Sequence, residues 1–358
     1  MSDAVLVTGG FGLVGSETVR RLAADGRRVV AADLDTPANR KAAEKLPAGA
    51  EYRWADLTDP EQVQRLVADI APAAIIHLAA IIAPAIYRIP KVARRVNVDA
   101  TATLIRVAEA QPNPPRFVHA SSNAVFGPRN PHLTPEPLTA ADPMRPCDLY
   151  SGTKAEAEEI VQSSSLEWVV LRFGGVLTTD LSALPLSGDA MLFESALPSD
   201  NRVHTVDVRD VAFACAAATT ADAAGEVLLI AGDESHRHCY GDLAPALVAA
   251  LGIPGAIPPG RPGDPNSDTD WFVTDWMDTT RAQEVLKFQH YSWSDLMDEF
   301  SAKFWFTKHW GRLLAPIVRE VMKRRSAYWN APGTYADPWG AIRAKIGDPA
   351  WESPTGRG

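Results

Sequence analysis

The sequence predicts an α/β fold, a doubly wound parallel sheet carrying a smaller C-terminal lobe and a C-terminal helical extension. Three observations lead there. Short β-rich runs alternate with helix-period segments through the first two-thirds of the chain, a glycine-rich turn joins the first strand to the first helix, and the composition changes character after residue 300. Alternation of this kind builds βαβ units with parallel strands.

The first strand is 4–8 (AVLVT), an apolar run that stops at glycines. Residues 16–25 follow with helical spacing, Val19, Leu22 and Ala23 sharing one face. Further strands are expected at 28–33 (RVVAAD), 50–54, 73–78 (AAIIHL), 116–120 (RFVHA), 169–173 (VVLRF) and 227–231 (VLLIA), with helical patterns at 60–70 and 91–110 between them. Helices near 208–220, 240–251 and 279–287 are expected to build the smaller lobe. The chain then divides into a core at 1–175 with elements returning at 203–232, a lobe at 176–300, and an extension at 301–358. Stretches rich in Pro and Gly at 127–146, 178–200 and 252–270 are candidate binding loops, since loops at the carboxyl ends of parallel strands carry function in such sheets.

Composition excludes several classes of function. With 35 Lys and Arg against 44 Asp and Glu, the formal net charge is -9, so the chain as a whole repels polyanions and nucleic acid is not an expected partner. Cys147, Cys215 and Cys239 are widely separated, which argues against a disulfide framework and fits a reducing, cytoplasmic setting. A strand begins within four residues of Met1, leaving no room for a signal peptide, and the apolar segment 73–86 is broken by His77 and Pro84 before it could span a bilayer.

The turn Thr8-Gly9-Gly10-Phe11-Gly12-Leu13-Val14-Gly15 follows a strand and opens a helix. Glycines there permit a tight bend, close backbone approach to a pyrophosphate, and tight helix–strand packing, with the phosphate at the positive end of the helix. Gly9, Gly12, Leu13, Val14 and Gly15 are the candidate cofactor contacts in this turn. Asp33 lies 18 residues after Gly15 at the end of the second strand, placed to accept from both ribose hydroxyls and to repel a 2′-phosphate. NAD is therefore the expected cofactor. Asp56, in Trp54-Ala55-Asp56-Leu57, is a candidate acceptor for the adenine amino group.

Tyr150 and Lys154, in YSGTK at the start of a helical segment, stand one turn apart on one face. A phenol ordinarily titrates near about 10, and a nearby ammonium together with a positive nicotinamide would favour the phenolate, making Tyr150 a general acid/base. Ser122, in SSNAVFG after the fifth strand, is placed to bond the substrate oxygen that becomes alkoxide or carbonyl. Ser121 is expected to make backbone or cofactor contacts.

These pieces together resemble an extended short-chain dehydrogenase/reductase of the NAD-dependent epimerase/dehydratase family, with a Rossmann-like sheet. The matching motifs are TGGFGLVG at 8–15, Asp33, Asp56-Leu57, HLAA at 77–80, Asn97 in NVDAT, SSNAVFG at 121–127, YSGTK at 150–154, LRFGGV at 171–176 and VRDVA at 208–212, in family order. The resemblance implies the Ser122, Tyr150, Lys154 roles. It also adds Leu57, Leu78, Ala79, Ala80, Asn97, Phe173, Gly175 and Val176 to the cofactor contacts, and implies a homodimer through helices around 91–110 and 150–165. One departure stands out: members acting on nucleotide sugars commonly carry Asn where this chain has Gly175. The loop 81–87 (IIAPAIY) is also poor in polar groups, whereas a sugar needs partners for its hydroxyls. Ile81, Ile82, Asn123 and Ala124 are the candidate substrate contacts.

Other features have structural readings. His236 and His238 flank Arg237 without a third ligand, so no metal is expected. His77 is expected to be structural or cofactor-adjacent, Asp210 a helix cap or turn anchor, and Trp271, Trp276 and Trp293 lobe core, while His204 is a candidate for the substrate lobe.

Family members of this type usually end near Tyr291-Ser292-Trp293. Residues 1–300 carry 25 Lys and Arg against 40 Asp and Glu, whereas the extension carries 10 against 4 and five of the ten tryptophans. Phe306, Trp310, Leu313, Leu314, Ile317 and Val321 recur at helical spacing beside Lys308, Arg312, Arg319, Lys323, Arg324 and Arg325, with Pro316 expected to kink or restart that helix. The segment could cap its own pocket, cross a partner subunit, or make peripheral contact with an anionic membrane. The Pro-rich end from 332 reads as a strap.

The functional expectation is hydride transfer between NAD and a secondary alcohol or ketone of a fairly apolar small-molecule substrate. The alternatives are a nucleotide-sugar epimerase or dehydratase and, from another class, a catalytically idle NAD-binding regulator or scaffold.

Overall fold

The computed structural model describes residues 3–180, 187–305 and 310–351. Its strands are β1 (Val5–Thr8), β2 (Val29–Asp33), β3 (Glu51–Trp54), β4 (Ala74–His77), β5 (Arg116–Ser122), β6 (Trp168–Phe173), β7 (Gly175–Leu177), β8 (Arg202–Asp207), β9 (Glu226–Ile230) and β10 (Arg237–Cys239). Its α-helices are α1 (Leu13–Ala24), α2 (Pro37–Ala43), α3 (Pro60–Ile70), α4 (Pro90–Arg94), α5 (Ala100–Glu109), α6 (Leu149–Gln162), α7 (Gly188–Ala196), α8 (Val208–Ala218), α9 (Tyr240–Ala250), α10 (Thr280–Leu286), α11 (Trp293–Lys303), α12 (Gly311–Arg325) and α13 (Pro338–Lys345).

Seven strands form one parallel sheet in the order β3-β2-β1-β4-β5-β6-β9. These are the seven strands expected from the sequence. Both faces of the sheet are covered, which explains why the strands read as continuous apolar runs rather than alternating ones. Val5 and Val7 of β1 pack on one face with Val19 and Leu22 of α1 and with Val211 and Ala214 of α8. Leu6 packs on the other with Val63 and Val67 of α3 and with Leu104 of α5. The order reverses between β1 and β4, where Thr8 pairs with His77, and ligands of such sheets bind in the crevice outside that point.

Helices α8 and α10 differ from their expected place in the smaller lobe. Val211, Cys215, Ala282 and Leu286 lie in the same apolar cluster as β1 and α1, so both helices cover the sheet itself. Their apolar positions match the sheet face as well as they would match a lobe, and periodicity alone does not say which surface receives them. Beside the sheet, β7 runs parallel to β8 and β10 antiparallel to it.

The extension has two unlike parts. Helix α12 continues through Pro316 rather than restarting there, and its first residue packs against the Gly252 carbonyl. Phe306 and Lys308 lie outside the described residues. From 326 onward the chain is tied to its own body: the Tyr328 hydroxyl donates to the Ala196 carbonyl at 2.6 Å, Lys345 donates to the Ala327 carbonyl at 2.7 Å, and Arg261 holds the Ala331 and Pro332 carbonyls. The strap ends across the start of α6, where the Leu149 N–H donates to the Pro349 carbonyl at 2.9 Å and Trp351 lies on Gly152. No helix among the described residues is long and apolar enough to cross a membrane.

Candidate active site

The turn between β1 and α1 is built so that only glycine fits. Gly9 has φ +68°, and a Cβ there would lie 2.8 Å from the Ala79 nitrogen. A Cβ on Gly10 would meet Ala31 of the neighbouring strand at 2.7 Å, and one on Gly15 would collide with the Gly9 carbonyl. Gly10, given no individual role from the sequence, is thus as constrained as its neighbours. Helix α1 starts at Leu13, after Gly12, with no side-chain cap and no acidic residue in its first turn, leaving its N–H groups and dipole for an anion. Leu13 and Val14 form that first turn. Ala79 backs Gly9, and with Leu78 and Ala80 it continues from the end of β4 along the same crevice.

Asp33 ends β2 beside this turn, accepting from the Phe11 N–H at 3.2 Å and the Leu34 N–H at 2.8 Å. Burial raises its pKa above the usual carboxylate value, opposed by these hydrogen bonds. At Asp56 the Oδ1 atom accepts from the Thr58 N–H and hydroxyl, both at 2.8 Å, while the neighbouring Leu57 is buried in the core. A glycine cradle, an uncapped helix terminus and a half-buried carboxylate at the sheet edge fit a dinucleotide with free ribose hydroxyls.

Ser122 ends β5, Tyr150 sits in the first turn of α6, and Lys154 follows one turn later. Helix α6 begins where it does because Asp148, fully buried, caps it: its carboxylate accepts from the Tyr150 N–H at 3.0 Å and the Ser151 N–H at 3.1 Å, and from the Tyr87 hydroxyl at 2.7 Å. Asp148 escaped the sequence reading, although an Asp three residues before a Ser at a helix start is the available signal. Lys154 is buried and donates to the Ala120 carbonyl at 2.8 Å. Burial lowers its pKa to about 8, with Glu158 opposing. Tyr150 is shifted the opposite way. Burial pushes its phenol up to about 12, the Ser122 hydrogen bond pulls down, and Asp148 pushes up. The ammonium points at a backbone carbonyl, so without added positive charge the phenol stays protonated.

Two expected cofactor contacts have other partners. The Ser121 hydroxyl donates to Glu158, which also receives Arg172 through Nε at 3.0 Å and Nη2 at 2.8 Å. Ser121 therefore belongs to a buried clamp joining β5, β6 and α6. Asn97 lies in a π-helical turn, Arg95–Asp99, its Oδ1 accepting from the Ile81 N–H at 2.7 Å and its amide donating to the Ile81 carbonyl at 2.9 Å and the Thr153 hydroxyl at 3.1 Å. It holds the 81–87 loop to α6. Phe173 pairs in register with Ser122, while Gly175 and Val176 lie in β7 opposite Thr205 and Val206. A Cβ on Gly175 would already be 3.3 Å from Val203, so an Asn there would press on β8.

On the other side of Tyr150 the surroundings are apolar. Ile81 and Ala124 share a cluster with Tyr150, Phe193, Phe272 and, from the extension, Trp339 and Ile342. Ile82 is 55% exposed at the loop surface. Asn123 is buried, and its amide nitrogen has no partner among the described residues. The α7 and α13 contributions were not legible as site residues, because nothing in sequence links 193, 339 and 342 to position 150.

The remaining candidates resolve into structure. His77 bonds Thr8 at 2.7 Å and Thr101 at 2.9 Å, and burial lowers its pKa to about 3. His204 is buried, its Nδ1 accepting from the Met277 N–H at 3.1 Å. His236 bonds Thr205, and no group of three metal-ligating side chains occurs among the described residues. Asp210 accepts from the His290 and Tyr291 N–H groups, anchoring a turn, while Asp207 caps α8. Trp271 is fully buried.

Comparison with known proteins follows this geometry. Among solved structures, UDP-glucose 4-epimerase of Thermotoga maritima with UDP-glucose superposes with a TM-score of 0.68 at 19% identity, covering 86% of this chain and 99% of that one. The Thermus thermophilus UDP-glucose 4-epimerase complex with NAD gives 0.67 at 23%, covering 83% and 98%. At these identities the likeness concerns the fold. Among curated relatives, a probable UDP-arabinose 4-epimerase of Oryza sativa is 28% identical over 190 residues, 49% of this chain and 44% of that protein. Methionine adenosyltransferase 2 subunit beta of Rattus norvegicus is 30% identical over 224 residues, 60% and 61%. The chain thus spans about half the length of the curated relatives it matches. The sequence model of the NAD dependent epimerase/dehydratase family matches residues 5–179, which hold the glycine turn, Asp33, Ser122, Tyr150 and Lys154, and that part of the chain belongs to the family.

Proposed function

We propose that this chain binds NAD at the carboxyl edge of its seven-stranded sheet and transfers hydride between it and a secondary alcohol or ketone of a fairly apolar molecule. The observation that carries the reading is the convergence of Ser122, Tyr150 and Lys154 beside the β1–α1 crevice, with an apolar cluster on the far side of the phenol. The turn at Gly9, Gly12 and Gly15 holds the pyrophosphate, Asp33 the adenosine ribose, and Lys154 the nicotinamide ribose. When bound, NAD supplies a hydride acceptor or donor and a positive charge near the phenol. Tyr150 takes the proton of the carbinol oxygen as that carbon is oxidised and returns it in the reverse direction. Ser122 fixes the same oxygen, and the unpartnered Asn123 amide is a further donor beside it.

A second reading is supported by the relatives, several of which are named as nucleotide-sugar epimerases. In that case the same hydride step is transient and the ketone never leaves. Gly175 and the apolar cluster favour the first reading over it. NADH formation across a panel of secondary alcohols, with Tyr150→Phe as control, separates them. The dehydrogenase accumulates NADH; an epimerase accumulates none while interconverting a UDP-sugar; tight NAD binding with neither outcome supports an idle NAD-binding regulator.

A further inference from the structure

Helix α12 is left largely uncovered by the described residues of the body. Within it only Gly311 and Ala315 are buried, whereas Leu313, Leu314, Ile317 and Val321 are 68%, 51%, 65% and 44% exposed, and Trp310 just ahead is 71% exposed. At 3.6 residues per turn these five side chains fall within an arc of roughly 100°, a continuous apolar stripe about 17 Å long. Arg312, Arg319 and Lys323 gather on a separate exposed face, and Arg324 and Arg325 close the C-terminal end. Glu320, paired with Arg324 at 2.8 Å, is the helix's one acidic residue.

We infer that α12 docks the protein on an anionic lipid surface, lying in the interface plane with its stripe among the acyl chains and its cations among the headgroups. Charge selects this occupant. The extension carries 10 Lys and Arg against 4 Asp and Glu, while residues 1–300 carry 25 against 40, so an anionic surface attracts this face and repels the rest. A second copy of the chain fits less well. Two α12 helices packed stripe to stripe would hold Arg324 and Arg325 of each at the edge of the apolar seam, with one carboxylate each in reply. The other exposed large side chains on the described body include Leu34, Tyr52, Ile82, Ile89, Val92 and Leu133, and the only pair of them at helical spacing, Ile89 and Val92, is far shorter than the α12 stripe. A bilayer needs none, because its interior is apolar wherever the helix enters. Trp310 before the helix and Trp329 after it stand where interfacial tryptophans stand on such helices. The inference does not depend on the reaction: it rests on a helix remote in sequence from Tyr150.

The test is flotation of the full chain with vesicles of phosphatidylcholine alone and of phosphatidylcholine mixed with phosphatidylglycerol. Retention is expected only on the anionic vesicles, with a blue shift of tryptophan emission and loss at high salt. Arg319→Gln with Lys323→Gln should weaken it roughly tenfold or more. Leu313→Ser with Ile317→Ser should abolish it while thermal unfolding and NAD binding stay as in the parent chain. Equal retention on neutral vesicles, or no retention of folded protein on either, overturns the inference. So does a self-association, independent of lipid, that the stripe variants abolish, which would assign the stripe to a second copy.

Discussion

The two sides of Tyr150 are made by opposite means. Toward the β1–α1 crevice the wall is backbone: a turn in which any Cβ on Gly9 or Gly15 meets main-chain atoms, an uncapped helix terminus, and Asp33 fixed by two N–H groups. On the far side the wall is side chains alone, delivered by segments as distant as Ile81, Phe193, Phe272 and Trp339. Under the proposed function the first side would meet the cofactor through backbone atoms, which every residue possesses. The second would meet the substrate through side chains particular to this chain. Changes on the backbone side should therefore be all-or-none, and changes on the side-chain side should be graded.

The largest expected effect lies at the junction. Tyr150→Phe should lower kcat by roughly 10²–10⁴-fold with NAD affinity unchanged, measured by steady-state kinetics and NAD titration. On the backbone side, Gly15→Ala drives a Cβ into the Gly9 carbonyl and should weaken NAD binding by at least about tenfold, read by calorimetric titration. If Gly15→Ala bound NAD normally, the cradle would have slack and the contrast would fail. Asp33→Ala should cost NAD roughly tenfold and narrow its advantage over NADP. On the side-chain side, Gly152→Ala pushes against the Trp351 indole and should loosen the strap at a cost of about 1–3 kcal/mol, visible as a red-shifted tryptophan emission and a raised KM with little change in kcat.

The smallest effect concerns pH. Burial raises the Asp210 carboxyl to about 7, so the folded chain holds a proton there that the unfolded chain has released. Stability from this group is complete below the ordinary carboxylate range, falls as pH rises through about 7, and is then level. Asp210→Asn should flatten that slope in urea midpoints measured across this window.

The same division explains what could be read in the sequence. The seven strands, the glycine turn, Asp33 and the Ser122, Tyr150, Lys154 set are local patterns in which neighbours in sequence are neighbours in space. The partners of Ser121 and Asn97 were not legible, because a motif gives position but not the direction of a hydroxyl or amide. Ser121 turns to Glu158 and Asn97 to Ile81 and Thr153. Gly152 had no legible reason until Trp351, almost 200 residues later, was found lying on it. Helices α8 and α10 carry the right apolar face, yet whether that face meets the sheet or a lobe is decided by chain connectivity. At Tyr150 burial outweighs a lysine whose charge is directed at the Ala120 carbonyl, so the phenolate expected from the ammonium and a positive nicotinamide together rests on the nicotinamide.

The most direct measurement follows the transferred atom. The protein would be incubated with NAD and an apolar secondary alcohol carrying deuterium on its carbinol carbon, and the mass of the released NADH determined. Deuterium on the NADH, absent with Tyr150→Phe, is the predicted result. Unlabelled NADH, or none released from any such alcohol while NAD remains bound, would contradict the account.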